Sequence, residues 1–205
     1  MSNFTIRHYK ETIYKYKHAG WSFDNLENKS ENKSIIMTHD IDHDIFNCNN
    51  LVEAESECQI TATYFLRLHA QSYNMLSRRS ASVAKRILDN GCNLGLHYEP
   101  TYCSGGQSYE SHIESEIQIL SNILNTKIRH FNIHEPARTK INLKNLAVDK
   151  NRCYNSQFFD GYKYLSDSSC RWREGCFSEH LDKWNKMLVL THPIWWYNKC
   201  PSENY

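Results

Sequence analysis

Four short apolar runs of this chain end in side chains that a hydrophobic core cannot use. Ser34-Ile35-Ile36-Met37 leads into Thr38-His39-Asp40-Ile41-Asp42-His43-Asp44, and Leu94-Gly95-Leu96 ends in His97. Phe131-Asn132-Ile133 ends in His134, and Leu188-Val189-Leu190-Thr191 ends in His192. Desolvating carboxylates and imidazoles at strand ends is costly unless they are paired or bind a metal. Open and barrel-type α/β folds carry their chemistry at the C-terminal ends of parallel strands, which is where this pattern places these groups.

The rest of the chain fits that architecture. Apolar runs predict strands over 34–38, 61–68, 93–97, 128–134, 152–156 and 187–192. Helical spacing predicts helices over 51–58, 80–90, 108–124, 141–148 and 178–184, with the second stopping at Asn90-Gly91. Strand–helix alternation implies a mainly parallel sheet with helices outside it. A length of 205 residues suits one domain, with residues 1–33 as an N-terminal helical and loop extension whose helix runs through Tyr9, Ile13 and Tyr16.

Composition excludes several classes. The formal net charge is +1 and the basic residues are dispersed, so no nucleic-acid partner is expected. No apolar run is long enough for a transmembrane segment, and the Met1-Ser2-Asn3-Phe4-Thr5 start lacks the features of a secretion signal, so the expected location is cytoplasmic. The 8 cysteines include no Cys-x-x-Cys pair, which disfavours a zinc knot or disulfide framework. The 13 tyrosines and 5 tryptophans suit either core packing or sugar stacking.

Three histidines and an aspartate pair at parallel strand ends converge on one mouth of the sheet. A carboxylate with two or three imidazoles is the inventory of a catalytic divalent-metal site. Asp40 and Asp42 are two residues apart, so in an extended strand they share a face. Two such carboxylates repel, so one should bind the cation while the other acts as a base.

At these residues the sequence resembles the polysaccharide deacetylase superfamily, of the carbohydrate esterase family 4 type. Thr38-His39-Asp40-Ile41-Asp42 is similar to that family's Thr-Phe-Asp-Asp-Gly motif with one residue inserted, which leaves the two carboxylate roles exchangeable. Gly95-Leu96-His97 and Leu190-Thr191-His192 resemble its second and last motifs. A divergent branch associated with surface-polysaccharide genes is matched more specifically. Its segments correspond to Phe131-Asn132-Ile133-His134-Glu135-Pro136, to Tyr164-Leu165-Ser166-Asp167-Ser168 with Trp172-Arg173, and to His192-Pro193-Ile194-Trp195-Trp196.

The resemblance implies a distorted, incomplete (β/α) barrel and a hydrolase that removes an acetyl or formyl group from the nitrogen of an amino sugar. It implies one divalent metal ion, zinc by preference, with Asp42 and His97 as ligands. Asp40 is the expected base and His192 the expected acid. The family's second histidine falls at position 101, here Thr101, and His134 is read as the replacing ligand. Arg138, Asp167, Trp172 and Trp195 are the expected substrate contacts, Arg138 pairing either with Asp40 or with an anionic group, and Asp167 also orienting His192. The expected substrate is a nucleotide-linked, lipid-linked or oligosaccharide amino sugar. Two other classes are a catalytically silent carbohydrate-binding or scaffolding domain and a cysteine-built interaction module.

Overall fold

The computed structural model describes residues 4–25, 27, 29–139, 141 and 145–198. Its centre is β2 (Ser34–Ile41), whose residues are all buried. A strand covered on both faces must be apolar nearly throughout, which is why Ile35, Ile36 and Met37 follow one another. Along one edge β2 pairs with β7 (Lys186–Thr191). Along the other, its first half pairs with β1 (Ser22–Asp24) and its second with β3 (Thr63–Leu66). β4 (Asn93–Tyr98) and β5 (His130–Ile133) extend the sheet beyond β3, and β6 (Lys163–Ser166) extends it beyond β7. Every pairing is parallel, and the seven strands form an incomplete (β/α) barrel.

The helices α1 (Ile6–His18), α2 (Cys48–Cys58), α3 (Arg78–Asp89) and α4 (Tyr109–Leu124) cover the outer face. Thr5, Ser77 and Ser108 cap α1, α3 and α4 by accepting from backbone N–H groups of the first turn. Ile35, Met37 and Ile41 of β2 join the large core beneath these helices, whereas Ile36 points into a smaller inner core with Phe65, Tyr154, Phe159 and Leu188. That inner core plugs the barrel below its mouth. Gly95 is required there, because a Cβ at that position would run into the buried Phe65 ring. Among the described residues no helix is long and apolar enough to cross a membrane.

Several expectations need correction. Residues 152–156 form no strand. Asp149 and Asn155 side chains accept from the N–H of Asn151 and Gln157, curling Lys150–Arg152 and Ser156–Phe158 into single turns and leaving one bridge between Cys153 and Phe131. The helix over 178–184 reduces to the turn Phe177–Glu179. The one over 141–148 lies partly outside the described residues, and 146–148 are irregular. α1 and β1 are built into the fold, with Tyr9, Ile13 and Tyr16 fully buried. Seven cysteines are free thiols, while Cys200 lies outside the described residues.

Candidate active site at the barrel mouth

The polar strand ends meet above the inner core. Asp42 Oδ1 lies 3.1 Å from His97 Nε2 and 3.1 Å from His134 Nδ1, and the two ring nitrogens are 3.0 Å apart. The two imidazoles cross at 85°. Among the described residues, these three form a group whose ligand atoms all lie within 4.8 Å of one another.

The proton inventory of this triangle is constrained. Asn132, registered opposite His97 on β5, has its Nδ2 2.5 Å from Asp40 Oδ1. A carboxylate only accepts, so the amide NH₂ faces Asp40 and the amide oxygen faces His97. His97 Nδ1–H therefore donates to Asn132 Oδ1 at 2.5 Å, and in its neutral form the ring presents a lone pair at Nε2. Asp42 Oδ1 is buried and meets hydrogen-bond geometry with neither imidazole. With His97 Nε2 unprotonated, the 3.0 Å contact between the rings is a hydrogen bond donated by His134 Nδ1–H, and a cation that replaces this proton would meet three lone pairs 3.0–3.1 Å apart. Tetrahedral zinc with bonds of about 2.0–2.1 Å sets its ligand atoms about 3.3–3.4 Å apart, a small expansion of this triangle. The residues present fit the divalent metal that the sequence resemblance implies.

Electrostatics point the same way. Burial pushes the Asp42 carboxyl up, but His134 and His97 outweigh it and hold the group far below the usual carboxylate range. Burial pushes His97 down, yet Asp40 and Asp42 raise it overall, so the mouth attracts positive charge. Asp40 is buried and its Oδ2 lies 3.7 Å from His97 Nε2.

His192 stands on the opposite wall, its Nε2 3.6 Å from Asp42 Oδ2. Asp167, fully buried, accepts from His192 Nδ1 at 2.6 Å, from the His192 backbone N–H at 3.0 and 3.1 Å, and from Trp196 Nε1 at 2.9 Å. Burial works against the charged imidazole, but Asp167 overcomes it and lifts the pKa to about 9.

Asp40, Asp42, His97, His134 and His192 are thus brought together, and the remaining expectations fare differently. Asp167 spends both carboxylate oxygens inside the protein, behind His192, and has none for a substrate. Trp172 packs between Phe4 and Phe177 at 6.5 and 5.7 Å between ring centroids, as core rather than as a sugar platform. Trp195 is partly buried against the same core. Arg138 is largely exposed and pairs with Glu135 at 2.8 Å, so it does not reach Asp40, whose partner is Asn132. Thr101 is exposed at the rim.

Three residues of the mouth escape sequence reasoning: Asn132, Arg67 and Glu99. For Asn132 and Glu99 the signal is the two-residue strand period. Asn132 precedes His134 by two and Glu99 follows His97 by two, so each shares a histidine's face.

No protein-family model matches the sequence, and neither does any curated protein sequence. Solved structures do match. A carbohydrate esterase family 4 pseudoenzyme from Bacillus anthracis aligns with a TM-score of 0.50 at 14% identity, over 89% of this chain and 70% of that one. A mutant of it, described as having restored enzymatic activity, aligns at 0.51 and 14%, over 89% and 73%. A Streptococcus pyogenes deacetylase in complex with acetate aligns at 0.46 and 15%. That match covers 62% of this chain and 61% of that one, less than two thirds of its length.

Proposed function

We propose that this chain, whose fold is that of the family 4 carbohydrate esterases and deacetylases, is a metal-dependent hydrolase. It removes an N-acyl group, acetyl or formyl, from an amino sugar of surface-glycan metabolism. The observation that carries this reading is the triangle of Asp42 Oδ1, His97 Nε2 and His134 Nδ1, with Asp40 and His192 on either side of it. The reading takes residues 1–205 as one deacetylase-like unit.

Asp42, His97 and His134 would hold the metal. When bound there, such an ion supplies a water of lowered pKa and polarises the amide carbonyl. The protein's own groups do the rest. Asn132 occupies Asp40 Oδ1, leaving Oδ2 to take the water proton as general base. His192, charged at neutral pH and fixed through Nδ1 by Asp167, donates from Nε2 to the departing nitrogen. The acid is needed because a neutral amine leaves far more readily than an amide anion.

The test is zinc content by elemental analysis together with amine release from N-acetylated and N-formylated amino sugars. About one zinc per chain, lost in Asp42→Ala, His97→Ala and His134→Ala, is expected. Retention in His134→Ala alone would remove His134 from the ligand set. A wild type that binds no metal after reconstitution overturns the hydrolase and leaves the silent carbohydrate-binding domain.

A further inference from the structure

A second cavity lies on the flank of the barrel mouth, and the chemistry above does not use it. It occupies about 450 Å³ between α4 and the loop that joins β3 to α3. Leu68, Met75, Leu76, Ile119 and Ile123 line it. Leu76 is 75% exposed and Ile119 is 50% exposed. A single exposed leucine is ordinary. Two large apolar side chains left to water on the walls of one apolar-lined cavity have the character of a ligand site.

Polar contacts fix the walls of this groove to each other and to the sheet. His69, on the loop after β3, has its Nε2 2.7 Å from Glu116 Oε1 on α4. The Tyr98 hydroxyl and His112 Nδ1 lie 3.0 Å apart and tie α4 to β4. The groove also adjoins the mouth. The His69 ring stacks on Tyr102 with centroids 3.9 Å apart and planes 9° apart. His69 lines the groove, while Tyr102 lines a cavity of about 260 Å³ bounded also by His134 and Arg138. One stacked pair of rings therefore separates the apolar groove from a cavity beside a proposed metal ligand, and Tyr102 is itself 44% exposed.

Charge along this path suits an anionic linkage. The carboxylates beside it are already matched, Glu99 by Arg67, Glu135 by Arg138 and Glu116 by His69. Arg138 is exposed and commits only Nη1 to Glu135 among the described residues, which leaves further N–H groups for a phosphate. Arg78, exposed and two residues beyond Leu76, adds a cation in the first turn of α3, where a helix ordinarily favours acids. The base and ribose of a nucleotide are polar and would give Leu76 and Ile119 no apolar cover. A hydrocarbon chain covers both.

We propose that the substrate is an N-acylated amino sugar carried through a phosphodiester on a long hydrocarbon chain, and that this chain lies in the groove between Leu76 and Ile119. The proposal rests on the sugar-hydrolase reading of the mouth and selects the lipid-linked substrate over the nucleotide-linked one. The experiment is calorimetric titration of the zinc-loaded full chain with three probes. They are farnesyl-phosphoryl N-acetylglucosamine below its micellar concentration, methyl-phosphoryl N-acetylglucosamine, and UDP-N-acetylglucosamine. Zinc content and amine release are read on the same samples.

The farnesyl probe should bind about tenfold or more tighter than the methyl probe, the effect that burying roughly two methylenes already gives. Its binding should also show the more negative heat-capacity change that marks apolar burial. Leu76→Asp and Ile119→Asp, both at exposed positions, should each bring the farnesyl probe down to the affinity of the methyl probe, with zinc content and melting temperature as in the wild type. Equal affinity of the farnesyl and methyl probes in the wild type, a farnesyl preference that survives both substitutions, or tighter binding of the UDP sugar overturns the proposal. A wild type that sediments as a dimer and a Leu76→Asp variant that sediments as a monomer would assign the groove to a second copy of the chain and overturn it too. The two readings fail separately: a farnesyl preference without amine release sinks the hydrolase, and amine release without a farnesyl preference sinks the lipid-linked substrate alone.

Discussion

His39 and Asp40 are neighbours on β2, yet each belongs to a different kind of polar assembly. His39 faces the helices. Its Nε2 meets Glu55 Oε1 at 2.6 Å and its Nδ1 meets Thr191 Oγ1 at 2.6 Å. Glu55 also accepts from Tyr9 at 2.8 Å, from Tyr64 at 2.6 Å and from the Cys92 thiol at 3.6 Å. Burial and the nearby Glu55 push both phenols far up, so they stay protonated and donate. Every acceptor of Glu55 is used and the cluster is sealed. Asp40 faces the barrel mouth, where Asp42 Oδ1 lies between two imidazoles and is hydrogen-bonded by neither. A closed polar network specifies a fold, and an open one at a strand end waits for a ligand.

Breaking each network separately should produce opposite phenotypes. Asp42→Ala should abolish stoichiometric zinc and lower amine release by roughly 10³-fold or more, the kinetic equivalent of the several kcal/mol a metal supplies. The melting point of the zinc-free protein should fall only modestly, because the variant gives up the ion pairs of Asp42 with His97 and His134 but no side-chain hydrogen bond at Oδ1. Glu55→Ala should instead cost about 3–5 kcal/mol by stranding buried partners, or roughly 6–20 °C in melting point. Zinc bound per folded molecule should stay at the wild-type level. Calorimetry with and without zinc checks both, and a zinc-binding defect in folded Glu55→Ala would erase the distinction.

The His192–Asp167 pair combines features of the two. It is sealed at Asp167 and open at His192 Nε2. With its folded pKa raised to about 9 from an ordinary 6.5, His192 carries its proton at neutral pH. The acid form should persist through neutrality, while the stability this pair contributes is whole below about pH 6.5 and declines from there until it is lost at about pH 9. The pH–rate profile of the zinc-loaded enzyme should therefore fall on its alkaline side, below that value to the extent that the cation offsets Asp40 and Asp42. Asp167→Asn removes the main opposition to burial and should move that fall toward or below 6.5, with turnover at pH 8 lowered about 10²-fold and zinc retained. An unmoved profile would show that His192 is not the acid.

How far the sequence revealed this follows from the same contrast. Asp40, Asp42, His97, His134 and His192 were legible because ionisable groups closing apolar strands are expensive, hence conspicuous. Asn132 is neutral and sits inside a strand, where an amide looks unremarkable until its partner across the register is known. Arg67 and Glu99 each end a strand run too, but a lone charge beside a loop usually means solvent. β1 and β6, of 3 and 4 residues, are too short for any period to emerge. Residues 152–156 have strand-like composition, yet Asp149 and Asn155 bind their own backbone and curl the chain. Asp167 and Trp172 drew attention as polar and aromatic residues of a matched motif, and only packing shows that both face inward.

Asn132 supplies the finest test, since it links the base to the ligand set by hydrogen bonds alone. Its amide oxygen fixes the His97 tautomer that leaves Nε2 unprotonated, and its NH₂ turns Asp40 Oδ2 toward the mouth. Asn132→Ala should leave all three proposed ligands present yet weaken zinc by about 10–100-fold, as loss of a hydrogen-bond partner behind a metal-binding histidine does elsewhere. Competition with a chelator of known affinity measures this directly. Asn132→Asp keeps an acceptor for His97 but sets a carboxylate against Asp40, so it should recover much of the zinc affinity while leaving turnover impaired. Equal zinc affinity in wild type and Asn132→Ala would mean that the triangle orders itself, and the line between a network that specifies structure and one that holds a ligand would then run between Asn132 and His97.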